Sequence, residues 1–415
     1  MKLKRYTLIF SSLLLMLSSS IFSQENLENY LKTAAQNNPD LKASFNKYMA
    51  AMQKIPQVGT LPDSQAVFGY FIQPVETRVG PQKWKFNLAQ SFPWFGLLNA
   101  KENLATELAN AKFEEFENSK SNLFFEVKTT YYNYYFTEKA IQIIKENINI
   151  LQVFKRLSLV KIEAGKASIV DELRVELELN NLENKLALFE DSKKTLLIKF
   201  NNLLLRERSK SIKIPDTLWQ DKLPFDKSAM LTEIYANNHQ LKSINHRLNA
   251  FINQKTVAKK EGMPKFNIGL NYTVVEKIPS SNTINNGKDA FLFPSVGINI
   301  PIFRKKYKAL IKETTYLQEV ESNKKENKKR MLSTIFSDSY KNYNDGNRRI
   351  ALNKKQSKIA KKVLDVLITS YSTNATNFEE VLRIESQLLT YELAYQQALI
   401  DKNAAIAFMY YLIGK

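Results

Sequence analysis

The sequence predicts a mainly α-helical protein with a small β part, built as two tandem copies of a unit reading helix, strand, strand, long helix, long helix. Three observations predict it: short motifs recur at a nearly constant offset, paired segments alternate with period two, and long proline-free segments keep a helical period. Asn37-Asn38-Pro39-Asp40-Leu41-Lys42 returns as Asn237-Asn238-His239-Gln240-Leu241-Lys242, an offset of 200. Phe92-Pro93-Trp94-Phe95 returns as Ile300-Pro301-Ile302-Phe303 at 208, and Leu173-Arg174-Val175-Glu176 as Leu382-Arg383-Ile384-Glu385 at 209. The same order with a slowly drifting offset marks a tandem repeat, over 24–205 and 228–415, joined by a linker or equatorial segment at 206–227.

The chain opens Met1-Lys2-Leu3-Lys4-Arg5, followed from Tyr6 to Phe22 by apolar or small uncharged residues and then Ser23-Gln24. A basic start, a short apolar core and a small residue before the cut make a signal peptide over 1–23. No later run is apolar for long enough to form a membrane helix, so an exported chain is either soluble or a β-barrel. Cysteine is absent despite export, and packing and assembly must hold the fold. The formal charge of +19 would usually raise nucleic acid as a partner; export, and the scatter of basic residues through helical patterns, argue for no nucleic acid and for solvated helix faces.

The strands come next in each unit. Over 264–275, Phe266, Ile268, Leu270, Tyr272 and Val274 alternate with Lys265, Asn267, Gly269, Asn271 and Thr273, one apolar face and one polar. A partner over 291–302 carries Val296, Ile298, Ile300 and Ile302. In the first unit, 83–92 alternates through Trp84, Phe86 and Leu88, while 65–74 is less clean. Each strand has about ten residues, enough to cross a bilayer when tilted; a soluble hairpin would show the same pattern.

After Pro93 and Pro301 the period becomes 3.6. Residues 97–163 and 304–372 contain no proline and only Gly346, predicting helices of about 100 Å. Returning helices over 168–205 and 377–413 follow. Val175, Leu179, Leu182, Leu186 and Phe189 fall at heptad-like spacing, and the 209 offset places the second seam on Ile384, Leu388, Tyr391, Tyr395 and Ala398. Each long helix is thus expected to pair with its return as a coiled-coil hairpin.

Four strands cannot close a membrane barrel, since barrels begin at about eight and an open edge in lipid leaves backbone groups unpaired. Several chains would have to share one. Two tandem copies of two strands and two long helices behind a signal peptide resemble the TolC-type outer-membrane factors of efflux pumps over essentially the whole mature chain. The resemblance implies a homotrimer, with one 12-stranded barrel in outer-membrane lipid and a helical coiled-coil tunnel in the periplasm. It also implies a periplasmic adaptor and an inner-membrane pump as partners, the resistance-nodulation-division class among the candidates.

Local matches sit at the hairpin reversals. Lys161, Gly165 and Ser168 resemble the family's R-x-x-x-G-x-x-S tip, lysine replacing arginine, which the resemblance makes an adaptor-docking element. Asn374 and Asn377 occupy the glycine and serine positions of the second tip. Ser370-Tyr371-Ser372 is similar to the inner-gate segment, so Tyr371 is a gate candidate. Glu380 and Arg383 fall on two positions that are acidic in some members and line the periplasmic mouth. On its own chemistry, Gly165 suits a tight reversal requiring positive φ, and Lys161 is expected as an exposed donor near a helix end.

Nothing points to catalysis, a cofactor or a metal. His239 and His246 are the only histidines and no carboxylate pattern joins them. No glycine pair is close enough for a phosphate loop. Met49 and Met52 read as core filler rather than a soft-metal stop. Tyr131, Tyr132, Tyr134, Tyr135 and Phe136 read as packing between helices, and Trp84, Phe92, Trp94, Phe95 and Phe303 as a membrane-interface girdle. The function expected is a passive export duct gated at its periplasmic tips; the rival is a periplasmic coiled-coil rod that binds partners without making a pore.

Overall fold

The computed structural model describes residues 26–280, 284–372 and 378–415; the signal peptide, Asn374 and Asn377 lie outside them. The order is α1 (26–37), α2 (Pro39–Met52), α3 (Lys54–Gly59), β1 (Gln65–Val75), β2 (Gln82–Phe92), α4 (Leu97–Glu163), α5 (Ile169–Leu203), α6 (Lys227–Asn237), α7 (His239–Glu261), β3 (Lys265–Val275), β4 (Ala290–Asn299), α8 (Lys305–Ser372) and α9 (Phe378–Ile413). The long helices predicted over 97–163 and 304–372 are α4 and α8. Two compact units form, and both draw on each sequence repeat. Among the described residues, one holds those up to Ala43, Glu117–His239 and those from Lys329 to Lys415; the other holds Ser44–Phe116 and those from Gln240 to Lys328.

The second unit contains an antiparallel sheet in the order β1-β2-β3-β4, so the hairpins of the two repeats are joined through β2 and β3. Their register aligns the apolar residues in rows. Phe68 faces Phe86, which faces Tyr272, which faces Phe291; Ala66, Leu88 and Leu270 form another row, and Ile268 faces Val296. On β2 and β3 the opposite face is mainly polar, with Asn87 Nδ2 donating to Asn271 Oδ1 at 2.8 Å. The apolar row crosses β4 intact because the register shifts between Gly269 and Asn271. Such a bulge changes parity, keeping Phe291 and Val296 on one face although they are an odd number of residues apart. β4 ends at Asn299, short of the predicted 302; Pro301 has no N–H to give to a ladder.

The first unit is helical. Val175, Leu179 and Leu182 of α5 are buried with Ile144, Ile148, Leu151 and Phe154 of α4, the predicted first seam. Over the first half of α9 the buried residues are Val381, Glu385, Leu389 and Leu393, while Ile384 and Leu388 flank them; of the predicted second seam, Ala398 is fully buried. A four-residue step has replaced the heptad in that half, rotating the seam away from the predicted Ile384 and Leu388, while the predicted Ala398 further along is in the core and Tyr395 packs against it.

The repeated asparagines now have a mechanical role. Asn38 Nδ2 donates to the carbonyl of Leu203 at 3.2 Å, and its Oδ1 accepts from Leu41 N–H at 3.1 Å. Asn238 Nδ2 donates to the carbonyl of Leu412 at 2.9 Å. Each ties a short helix to the end of its repeat's returning helix, where carbonyls lack intrahelical partners. Segment 206–226 has no helix or strand and is tied down by side chains of α4 and α9. Tyr131 Oη donates to Lys213 O, Tyr135 Oη accepts from Leu218 N–H, and Asn403 Nδ2 donates to Trp219 O. The tyrosine run is buried as expected, and its hydroxyls also satisfy backbone groups that a buried irregular segment must pair.

Candidate functional site

The reversal between α4 and α5 is built from its backbone. Gly165 N–H donates to Ile162 O at 2.9 Å and Lys166 N–H to Lys161 O at 2.8 Å, the paired bonds of a Schellman ending. That ending needs a left-handed residue, and Gly165 has φ +67. A Cβ built there would meet nothing within 4 Å, so the site has open space and only the backbone requires glycine. Ser168 caps α5, its side chain accepting from Val170 N–H at 3.2 Å. Asp171 and Glu172 lie in the first turn, where the helix dipole favours anions.

Lys161 corrects the expectation of an exposed donor. It is 9% exposed, with its ammonium 3.7 Å from the centre of the Tyr371 ring and hydrogen-bonded to the Tyr371 carbonyl. Being one turn before the reversal, on the side facing α8, it turns inward rather than toward solvent. Tyr371 is itself buried and lies 4.9 Å from the Phe378 ring, which packs edge-on against Phe154 at 5.9 Å. The first tip and the gate candidate are thus one cluster. Arg174 to Glu379 at 3.1 Å adds an α5–α9 bridge, and Lys155 joins Glu172 at 3.1 Å and Glu176 at 3.3 Å. Glu380 and Arg383 are exposed on α9.

Sequence reading missed Glu385. It is 1% exposed, and neither carboxylate oxygen has a hydrogen-bond partner among the described residues. Burial, then the charges of Glu178 and Glu392, pushes its carboxyl up to about 7. The signal that could have found it is the four-residue period Val381, Glu385, Leu389, Leu393. Among the described residues no group of three or more His, Asp or Glu is placed to hold a metal. His246 lies 2.8 Å from Glu107 instead, and Met49 is exposed rather than core. The aromatics form clusters at both ends of the strands: Trp84 with Phe68 and Tyr70 near the β1–β2 turn, and Trp94 and Phe95 with Phe266 before α4.

No protein-family profile and no curated protein sequence matches the chain. Solved structures do. CusC, from a study of transmembrane channel formation, matches with TM-score 0.76 and 16% identity over 94% of this chain and 92% of that one. The outer membrane protein VceC of Vibrio cholerae matches with 0.75 and 14% over 93% and 95%. The CmeC outer membrane channel of Campylobacter jejuni matches with 0.75 and 13% over 94% and 86%. The fold of this chain is therefore the TolC-type fold, along essentially its full described length.

Proposed function

We propose that this chain, carrying the TolC-type fold, is the outer-membrane channel subunit of a tripartite efflux system. Three copies share one 12-stranded barrel and continue as a helical periplasmic duct, and the duct conducts passively once an adaptor and an inner-membrane pump engage it. The observation that carries this reading is the sheet. Its apolar face is exposed in rows, including Phe68 at 56%, Phe291 at 62% and Val296 at 66%, and β1 and β4 are its edges. Water would penalise such a face, and lipid would penalise the edges unless another chain paired them.

The gate assignment rests on the Lys161–Tyr371 pair. It ties α4 of one hairpin to α8 of the other next to their reversals, so spreading the tips requires breaking a buried, charge-assisted contact. Glu380 and Arg383 are proposed to line the mouth beyond it, and the exposed turn at Gly165 and Lys166 to dock the adaptor. Single-channel conductance tests the gate: Lys161→Met should raise the open fraction of reconstituted channels in the absence of adaptor, and unchanged conductance would remove the pair from the gate.

A further inference from the structure

Lys265 opens β3 opposite Asn299 near the end of β4, so the chain enters one strand and leaves the other at a single edge of the sheet. Two basic runs that the sequence keeps some forty residues apart meet there. The end of α7 brings Lys259 and Lys260, and the start of α8 brings Arg304, Lys305, Lys306 and Lys308. The Arg304 guanidinium is hydrogen-bonded to the Gly262 carbonyl, and a Cβ at Gly262 would come within 3.1 Å of the Tyr307 ring, which seats the two runs against each other. The acid between them, Glu261, is held by Lys101 at 3.3 Å. Lys259, Arg304, Lys305, Lys306 and Lys308 are exposed.

Exposed apolar side chains border this cluster. Phe303 is 87% exposed, Ile302 77% and Phe95 77%; Lys260 Nζ donates to the Phe95 carbonyl at 2.9 Å, and Trp94 stacks on Phe266 at 6.0 Å. Aromatic rings next to long cationic side chains match the boundary of a bilayer, where rings lie at headgroup level and lysine and arginine reach outward. A soluble polyanion would use the charges but would give no reason for Phe95, Ile302 and Phe303 to be bare.

We infer that the end of α7 and the start of α8 form a basic collar that binds anionic phospholipid headgroups of the leaflet bordering the helical part of the protein. This rests on the reading of the sheet as part of a membrane barrel. Each basic residue near an anionic surface strengthens partitioning roughly fivefold, and salt screens the effect.

The test uses the full-length protein reconstituted into phosphatidylcholine vesicles containing fluorescent phosphatidylglycerol or fluorescent phosphatidylcholine, with lipid association read by energy transfer from the tryptophans. Phosphatidylglycerol should be enriched around the protein several-fold at low salt and lose that preference at about 1 M salt. The Lys305→Glu/Lys306→Glu/Lys308→Glu variant should lose the preference, while Lys354→Glu/Lys355→Glu, exposed elsewhere on α8, should keep it. Insertion with equal association of both lipids overturns the collar and leaves the barrel standing. A wild-type preference indifferent to salt overturns it too, even if the triple variant does not fold. Failure to insert into either vesicle overturns both, and binding of a soluble polyanion such as heparin without lipid preference assigns the charges to another partner.

Discussion

Glu176 and Glu385 occupy the same place in the two repeats and meet opposite surroundings. Glu176 reaches Lys155 at 3.3 Å from an exposed position, whereas Glu385 lies on the buried seam with no partner among the described residues. From α5, Glu178 faces it, and from its own helix Glu392, which in turn feels Glu146 of α4 and Lys361 of α8. A carboxyl raised to about 7 binds a proton in the folded state that the unfolded chain has released, so stability falls as pH rises from the ordinary carboxylate range through about 7 and stays low above it. Glu385→Gln should accordingly raise the melting temperature in detergent at pH 8 and change it little at pH 4.5; equal shifts at both would show that ionisation is not the cause. At the reversal, a Cβ on residue 165 meets nothing within 4 Å, and the positive φ makes Gly165→Trp cost on the order of 1–2 kcal/mol of local backbone strain. If this turn docks the adaptor as proposed, the variant should leave the assembly intact while abolishing efflux. Full efflux from an assembled Gly165→Trp protein, measured as accumulation of a pump substrate in cells, would release this tip from adaptor binding.

Among the elements, the strand faces give the sharpest contrast. Arginine near the midplane of a bilayer costs roughly 2–4 kcal/mol on a lipid-facing position and far less in a polar lumen. Leu88→Arg and Leu270→Arg, mid-strand on the apolar face, should therefore reduce heat-resistant assembly, scored on gels, much more than Asn87→Arg and Asn271→Arg; similar losses on both faces would refute the lipid-facing assignment. β3 was legible because apolar and polar residues alternate without exception from Lys265 to Val274. β1 was not, since Val67 and Phe71 place large apolar side chains on the second face, and only the pairing of Phe68 with Phe86 and Tyr70 with Trp84 identifies the first. The long helices and their returns were legible to within a residue or two because Pro93, Pro301 and Gly165 bound runs with no internal proline, whereas the single opening helix expected of each unit is broken at Asn38 and Asn238. The inward turn of Lys161 was not, because an isolated lysine near a helix end says nothing about which neighbouring helix will lie over it. Nor does period alone separate a heptad from a four-residue drift, which is why the first half of the α9 seam and Glu385 escaped the repeat offset.

For the whole molecule, every strand, hairpin and cap described so far is complete within one chain except the edges of the sheet. Backbone groups on β1 and β4 need partners that water supplies to a soluble protein and lipid does not. Cyclic symmetry satisfies both edges at once if β4 of each copy pairs with β1 of the next. Since the chain has no cysteine, single cysteines introduced on β1 and β4 should cross-link only between copies and yield a closed ring of linked chains. Native mass spectrometry of the detergent-solubilised protein addresses the shared barrel most directly: the account predicts a species of three chains that persists on dilution, and a stable monomer with its sheet intact would contradict it.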